Sequence, residues 1–407
     1  MDVVSSIRAA NAGREQERLQ IKYRKMCGSP FVFLRGTCHL FYERLPTHSI
    51  FQTAPAVWSC GDLHLENYGS YKGDNRLIYF DINDFEEAAL APATWDLVRM
   101  MTSIRLGAED KGMDRAIAAR LCTAFVDAYA SALAKGKALW VERDTANGLV
   151  KDLFDALQTR PRVKFLDDRT RTRDGLRTLR IDEDDIKWDK KKMLAVSNED
   201  RGRVEAAIAD FAKTQETPGF YQVRDVARRI AGTGSLGLGR FAVLVEGKGS
   251  PDGNYLLDLK QSTRSSLVSH LQIAQPRWTT EAARIVELQR RMQAISAAYL
   301  HPVPVGTEPY VLRELQPTED SVKLDPSKQS PAHIEQLLQT MGRIVAWSQL
   351  RSSGRSGSVV ADRLIEFGGA ADWRPVLTAL SEDCAAQVRK DAAVFDQAYK
   401  QKAFEAA

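Results

Sequence analysis

The chain has 407 residues, 44% of them hydrophobic and 27% charged, a composition for two or three packed globular units. Its 57 lysines and arginines against 53 acids leave a net charge of +4, too even to argue for a nucleic-acid partner. Five cysteines without a CxxC pair argue against a disulfide framework or a zinc site. The opening MDVVSSIRAANAGREQER turns polar within a few residues, and no stretch approaches about 18 uninterrupted apolar residues. Neither a signal peptide nor a membrane span is expected, and the expected location is the cytoplasm.

In chain order, residues 5–27 read as a polar, highly charged helix. SPFVFLRGTCHLFYERL (29–45) reads as aromatic and β-rich, with Pro30 opposing continuation of the helix before it. LIYFDI (77–82) reads as a short strand. From Trp95 to Leu157 apolar residues recur at three and four, the helical spacing. The dense mixed charge of 159–193 predicts a solvated hairpin or loop. Its functional alternative is a substrate-facing basic surface of Arg169, Arg171, Arg173, Arg177 and Arg180; without interleaved aromatics it makes a poor nucleic-acid surface. A helix near 199–214 precedes residues 221–262, whose alternation around a Gly/Pro/Asn turn predicts a twisted antiparallel sheet. A helix at 279–299, a strand at 309–317 and helices at 332–350 and 373–404 complete the reading.

Two acidic segments carry chemistry. CGDLHLENYG (60–69) sets Asp62 and Asn67 around His64, and FDINDFEEA (80–88) supplies Asp81 and Asp84. Carboxylate and amide oxygens at this spacing suit magnesium and can orient a hydroxyl. A metallophosphatase reading of GDLH needs further ligands, and the six histidines (His39, His48, His64, His270, His301, His333) complete no recognisable set.

GTGSLGLG (232–239) places Gly232, Gly234 and Gly237 in a G-x-G-x-x-G pattern. A dinucleotide fold needs a helix after such glycines, whereas RFAVLVEG reads as a strand. Strand, glycine loop, strand is how protein kinases lay backbone amides over ATP phosphates. That arrangement asks for a lysine on the third strand, which YLLDLKQS supplies as Lys260, and for an acid on the next helix. TEAARIVELQRRMQ (280–293) offers Glu281 and Glu287; helical periodicity leaves the choice open.

GDLHLEN followed by NDFEEAALAPATWDLVR resembles the catalytic and metal-binding segments of aminoglycoside and choline phosphotransferases. These belong to the protein-kinase-like superfamily, with the motif H-G-D-x-x-x-x-N and then I-D-F/W. SPFVFLRG, CGDLHLENYG, NDFEEA, WDLVR and VELQRRMQ together resemble an uncharacterised bacterial domain-of-unknown-function family (number 2252), grouped with kinase-like folds. The resemblance covers most of residues 20–400. It implies Asp62 as the catalytic aspartate, Asn67 and Asp84 as metal ligands, and Asp81 as an additional one. It further implies that Gly232, Gly234, Ser235 and Gly237 cover the phosphates, and that Lys260 contacts them with Glu287 as its partner. The backbone from Glu314 to Gln316 would bind adenine. Cys60 stands where the motif has histidine, and His64 where protein kinases have lysine, which favours the small-molecule branch.

The parts come in an unusual order, because the acidic segments precede the glycine loop. The implied fold is therefore α+β, a two-lobed kinase-like fold in circularly permuted order. Residues 1–220 would form a helical lobe, 221–316 a β-rich nucleotide lobe, and 317–407 helices completing the first lobe. The expected cofactors are ATP and Mg2+, with an unknown small-molecule hydroxyl acceptor. No membrane or nucleic-acid partner is expected, and the oligomeric state stays open. A nucleotide-binding pseudokinase module and AMP transfer to a protein are the alternatives.

Overall fold

The computed structural model describes residues 2–182, 192–317 and 320–405. It is a mixed α+β structure. Five short helices open the chain: α1 (Val3–Ala10), α2 (Gln16–Met26), α3 (Pro30–Gly36), α4 (Cys38–Glu43) and α5 (Ile50–Thr53). Strand β1 (Ala56–Ser59) pairs antiparallel with β4 (Ala89–Pro92), enclosing the hairpin of β2 (Tyr68–Lys72) and β3 (Ile78–Ile82). Helices α6 (Thr94–Asp110), α7 (Arg115–Ala134), α8 (Gly148–Thr159) and α9 (Arg162–Asp167) follow, then the hairpin of β5 (Thr170–Arg173) and β6 (Leu176–Leu179).

The remaining strands form one six-stranded antiparallel sheet around α10 (Asn198–Ala212) and α11 (Glu281–Met292). They are β7 (Met193–Leu194), β8 (Val223–Arg229), β9 (Arg240–Val245), β10 (Tyr255–Gln261), β11 (His301–Val305) and β12 (Glu308–Glu314). Their spatial order is β11-β12-β10-β9-β8-β7. Helices α12 (Pro331–Ser352), α13 (Ala361–Gly369) and α14 (Trp373–Lys400) close the chain.

Side chains alternate across each strand, so the sheet has two unlike faces. Phe241, Val243, Leu257, Leu259 and Leu312 pack with Val204 and Ile208 of α10 into one apolar core. The opposite face carries Arg229, Arg240, Asp258, Lys260 and Arg313 toward the helical layer. That layer has its own larger core, in which α6, α7, α12 and α14 meet. Gly342 of α12 lets it press against α7: a Cβ there would lie 2.2 Å from the Phe125 carbonyl oxygen. Helix α7 is long and apolar enough to cross a membrane, but half of that window is buried among α6, α12 and α13.

Three expectations change. Residues 29–45 are helical: Ser29 caps α3 by accepting the Val32 amide at 3.2 Å, and Pro30 opens the helix at a position where its missing N–H costs nothing. The single helix expected over 5–27 is two, broken by a turn with Gly13 at φ 74°. Helix α11 stops at Met292, and neither β11 nor α13 is foreseen in the sequence reading. The charged 159–193 segment contains α9 and the β5–β6 hairpin; its residues 183–191 lie outside the described residues.

Candidate functional site

The GDLHLEN segment hangs from one helix. Asp96, in the first turn of α6, accepts the amides of Cys60 and Gly61, both at 2.9 Å. Burial pushes the Asp96 carboxyl up to about 6 against the pull of those amides. Gly61 has φ 81°, and a Cβ there would lie 2.2 Å from the Glu87 carbonyl oxygen, so only glycine fits. One turn along α6, the fully buried Arg99 reaches Asp62, with Nε 2.9 Å from Oδ1. Burial raises Asp62 to about 6, with Arg99 pulling the other way. His64 caps the 3₁₀ turn that follows, its Nδ1 accepting the Glu66 amide at 3.2 Å.

The β2–β3 hairpin brings the two acidic segments together. Its register pairs Tyr68 with Ile82 and Gly69 with Asp81, and the Asn83 amide donates to the Asn67 carbonyl at 2.8 Å. Asn67 and Asp84 therefore sit at the same end of the hairpin. The Asn67 side-chain amide donates to the Asp62 carbonyl, and Asp84 Oδ1 accepts the Glu86 amide at 3.3 Å. Asp81 does not join them. It is buried elsewhere, accepting the Ile82 amide at 2.8 Å and the Ala294 amide at 3.1 Å, so it ties β3 to the end of α11 and is not in the ligand set.

The glycine loop spans β8 to β9. Its carbonyls are taken by the N-terminal segment: Gly234 O accepts from Arg14 at 2.7 Å and from Lys22 at 3.0 Å, and Gly237 O accepts the Glu15 amide at 2.9 Å. The amides of Gly232, Thr233, Gly234 and Ser235 donate to no described residue. Carbonyls drawn away and amides left over make a cradle for an anion. The loop lies over Asp62, since a Cβ at Gly234 would stand 4.0 Å from Asp62 Oδ2 and 3.2 Å from the Arg35 carbonyl oxygen.

Lys260 of β10 faces the same space. Burial brings it down to about 8, with Asp84 pulling it upward. Its ion-pair partner is Glu86, from the early acidic segment. Neither α11 acid serves: Glu281 pairs with Arg284 at 2.6 Å and Glu287 with Arg291 at 2.9 Å, each bound within its own helix. The expected adenine strip is likewise altered. Glu314 turns to Arg76 at 3.6 Å and lines a separate small cavity, and the Leu315 amide is held by the Leu256 carbonyl at 2.9 Å. Gln316 does line the main space, with its carbonyl accepting from Arg229 at 2.7 Å. Residues 318 and 319 lie outside the described residues.

Asp62, Asn67, Asp84, Lys260 and the loop from Gly232 to Gly237 thus line one cavity of about 910 Å³. Its described lining carries nine lysines and arginines against six acids, which suits an anionic ligand. The sequence reading missed Glu86, Arg99 and the pair Arg14 and Lys22. It also missed Arg229, Arg240 and Arg313, which gather on the buried Asp258. A signal for some of them was present: in DLK, alternation puts Asp258 on the face of Lys260.

Among the described residues no group of three or more His, Cys, Asp and Glu could hold a metal ion. One carboxylate, Asp84, and one amide, Asn67, beside an anion cradle still fit magnesium, which keeps waters and takes phosphate oxygens as its other ligands.

Fold and site together define an α+β protein with a cation-rich cavity between an antiparallel sheet and a helical layer. The chain belongs to the family described as uncharacterized protein conserved in bacteria (DUF2252), whose model matches residues 14–398. Neither a curated protein nor a solved structure matches it.

Proposed function

We propose that this protein is an ATP- and magnesium-dependent transferase of kinase-like, circularly permuted design, acting on a hydroxyl acceptor. One observation carries the reading: the glycine-loop amides and Lys260 line one cavity with the Asp62–Asn67–Asp84 group, which lies some 150 residues or more before them in the chain. Phosphoryl transfer demands positioning and charge neutralisation more than covalent work, and these are the groups for it. Asn67 and Asp84 would hold magnesium, which supplies neutralisation of phosphate charge. The loop amides and Lys260 orient the phosphates. Asp62, raised to about 6 yet ionised at neutral pH, takes the acceptor proton.

Phosphoryl transfer is the reaction expected of kinase-like design. AMP transfer is the second reading, supported by the charged sheet face beside Lys260, where an adenine ring would need an apolar slot. The test is calorimetric titration of ATP with and without magnesium, followed by mass spectrometry for phosphorylated or adenylylated products. Magnesium-dependent binding is expected. No ATP binding under either condition would remove the proposal.

A further inference from the structure

The wall of the cavity beneath the sheet is built for charge. The β8–β9 and β9–β10 registers set Arg229, Arg240 and Lys260 side by side across three strands, with Asp258 and Arg313 paired in the next row. All five share one face. Asp258 receives Arg229 at 2.8 Å, Arg240 at 2.6 Å and Arg313 at 3.8 Å. At close range one carboxylate thus answers three guanidinium groups and Glu86 answers Lys260, with Asp84 attracting Arg240, Arg313 and Lys260 from farther off. Although burial opposes it, Arg229 and Arg240 hold Asp258 well below the carboxylate range, and burial brings Arg229 down to about 10. Positive charge is left over at a buried wall, a cost that an anion facing the wall removes.

A purine base finds little purchase here. No Phe, Tyr, Trp, Val, Ile or Met lines the described cavity, and Leu238 is its one bulky aliphatic side chain. Ligand bases are ordinarily held between apolar surfaces.

We propose that this wall is a polyphosphate subsite, in which Arg229, Arg240 and Arg313 receive the terminal phosphate of the nucleotide while the base lies toward the cavity mouth. The inference rests on the nucleotide reading above and sets the ligand's direction within it. The glycine loop runs between the two ends: a Cβ at Gly232 would stand 3.6 Å from Arg240 Nη1, and one at Gly234 would stand 4.0 Å from Asp62 Oδ2. A triphosphate laid along those amides with its terminal phosphate at the arginines presents its α-phosphorus to Asp62. The acceptor oxygen then attacks that phosphorus, its bond to the α–β bridging oxygen breaks, pyrophosphate leaves, and the acceptor proton passes to Asp62.

Competition against a fluorescent ATP analogue tests the direction on the wild-type protein, with magnesium present. Inorganic tripolyphosphate should displace the analogue about as well as ATP does, and adenosine should not. Arg313→Gln, the arginine farthest from Asp258, should weaken tripolyphosphate about tenfold, the worth of one charge-assisted hydrogen bond, measured on the folded fraction because the variant also gives up the bond to the Asn83 carbonyl. Turnover should release pyrophosphate and no ADP. Competition by adenosine but not tripolyphosphate, or release of ADP, overturns the subsite and leaves the nucleotide reading standing. Tripolyphosphate binding with no ATP binding does the reverse.

Discussion

Glu86→Gln asks whether the charge of Lys260 depends on the early acidic segment. Burial has already brought that lysine to about 8. Two unit charges about 4 Å apart attract by about 4 kcal/mol at an effective dielectric near 20. Because Glu86 is 25% exposed, about half of that, ~2 kcal/mol or about 1.5 pH units, is the share to expect. Losing the carboxylate therefore lowers Lys260 further, and at pH 7.5 fewer molecules keep the ammonium. The sign is that of a depressed lysine: the charged form is lost as pH rises through the lowered value and restored below it. Calorimetry of magnesium-ATP should show Glu86→Gln binding about tenfold more weakly than wild type at pH 7.5, with the deficit nearly gone at pH 6. Glu287→Gln, whose carboxylate is spent on Arg291, should match wild type at both. A loss seen with Glu287→Gln and absent with Glu86→Gln would refute the pairing.

Four further outcomes follow from the structure. Asp62→Asn should cut product formation by about 10²- to 10⁴-fold while leaving ATP affinity within a few-fold, as checked by quenched-flow assay and calorimetry. Wild-type turnover should fall as pH drops below about 6, where Asp62 becomes protonated. Gly234→Val sets a branched side chain against the Arg35 carbonyl, 3.2 Å from its Cβ, and should weaken nucleotide binding by about tenfold, one cradle hydrogen bond, at unchanged melting temperature. Gly342→Ala forces α12 off α7 and should cost about 2 kcal/mol of stability in urea unfolding, with nucleotide affinity unchanged in the folded fraction.

Local signals in the sequence were strong where a motif and its backbone coincide. The loop at 232–239 falls between two strands because RFAVLVEG is a short apolar run ending in turn residues and TGSLG is not, and Lys260 follows one strand later in YLLDLKQS. Long-range pairing was hidden. Glu86 lies two residues past Asp84 in DFEEA, and nothing local marks it as reaching a lysine 174 positions on. The choice between Glu281 and Glu287 assumed that the acid must come from the helix after the lysine, whereas Arg284 and Arg291, one turn away, already satisfy both. Asp81 was indistinguishable from Asp84 by composition. The resemblance ranks Asp84 first, and the hairpin supplies the physical reason: Asp81 lies inside β3, held by the Ile82 and Ala294 amides, while Asp84 lies past its end and lines the cavity. SPFVFLRG reads as β-rich because its aromatics favour strand and Pro30 opposes a continuing helix; the Ser29 cap turns the same proline into a helix opener, and the cap outweighs propensity.

The buried cluster around Asp258 explains how segments so distant in the chain hold one shape. Each arginine that meets Asp258 spends another N–H on a different loop: Arg229 on the Gln316 carbonyl at 2.7 Å, Arg240 on the Ala231 carbonyl at 2.9 Å, Arg313 on the Asn83 carbonyl at 2.9 Å. Those carbonyls belong to the exit of β12, the start of the glycine loop and the residue before Asp84. A single carboxylate thus fixes three walls of the cavity at once. Removing it leaves three buried cations without their paired carboxylate, a loss of about 3–5 kcal/mol by the behaviour of broken buried pairs. Asp258→Asn keeps the shape and deletes the charge, so it separates the two duties of the cluster. If the arginines serve only to brace the loops, the variant is merely less stable. If they also bind phosphate, the freed positive charge should make tripolyphosphate bind more tightly than to wild type and raise the melting temperature more steeply with its concentration. Tripolyphosphate affinity equal to or below wild type in the folded variant would confine the cluster to bracing.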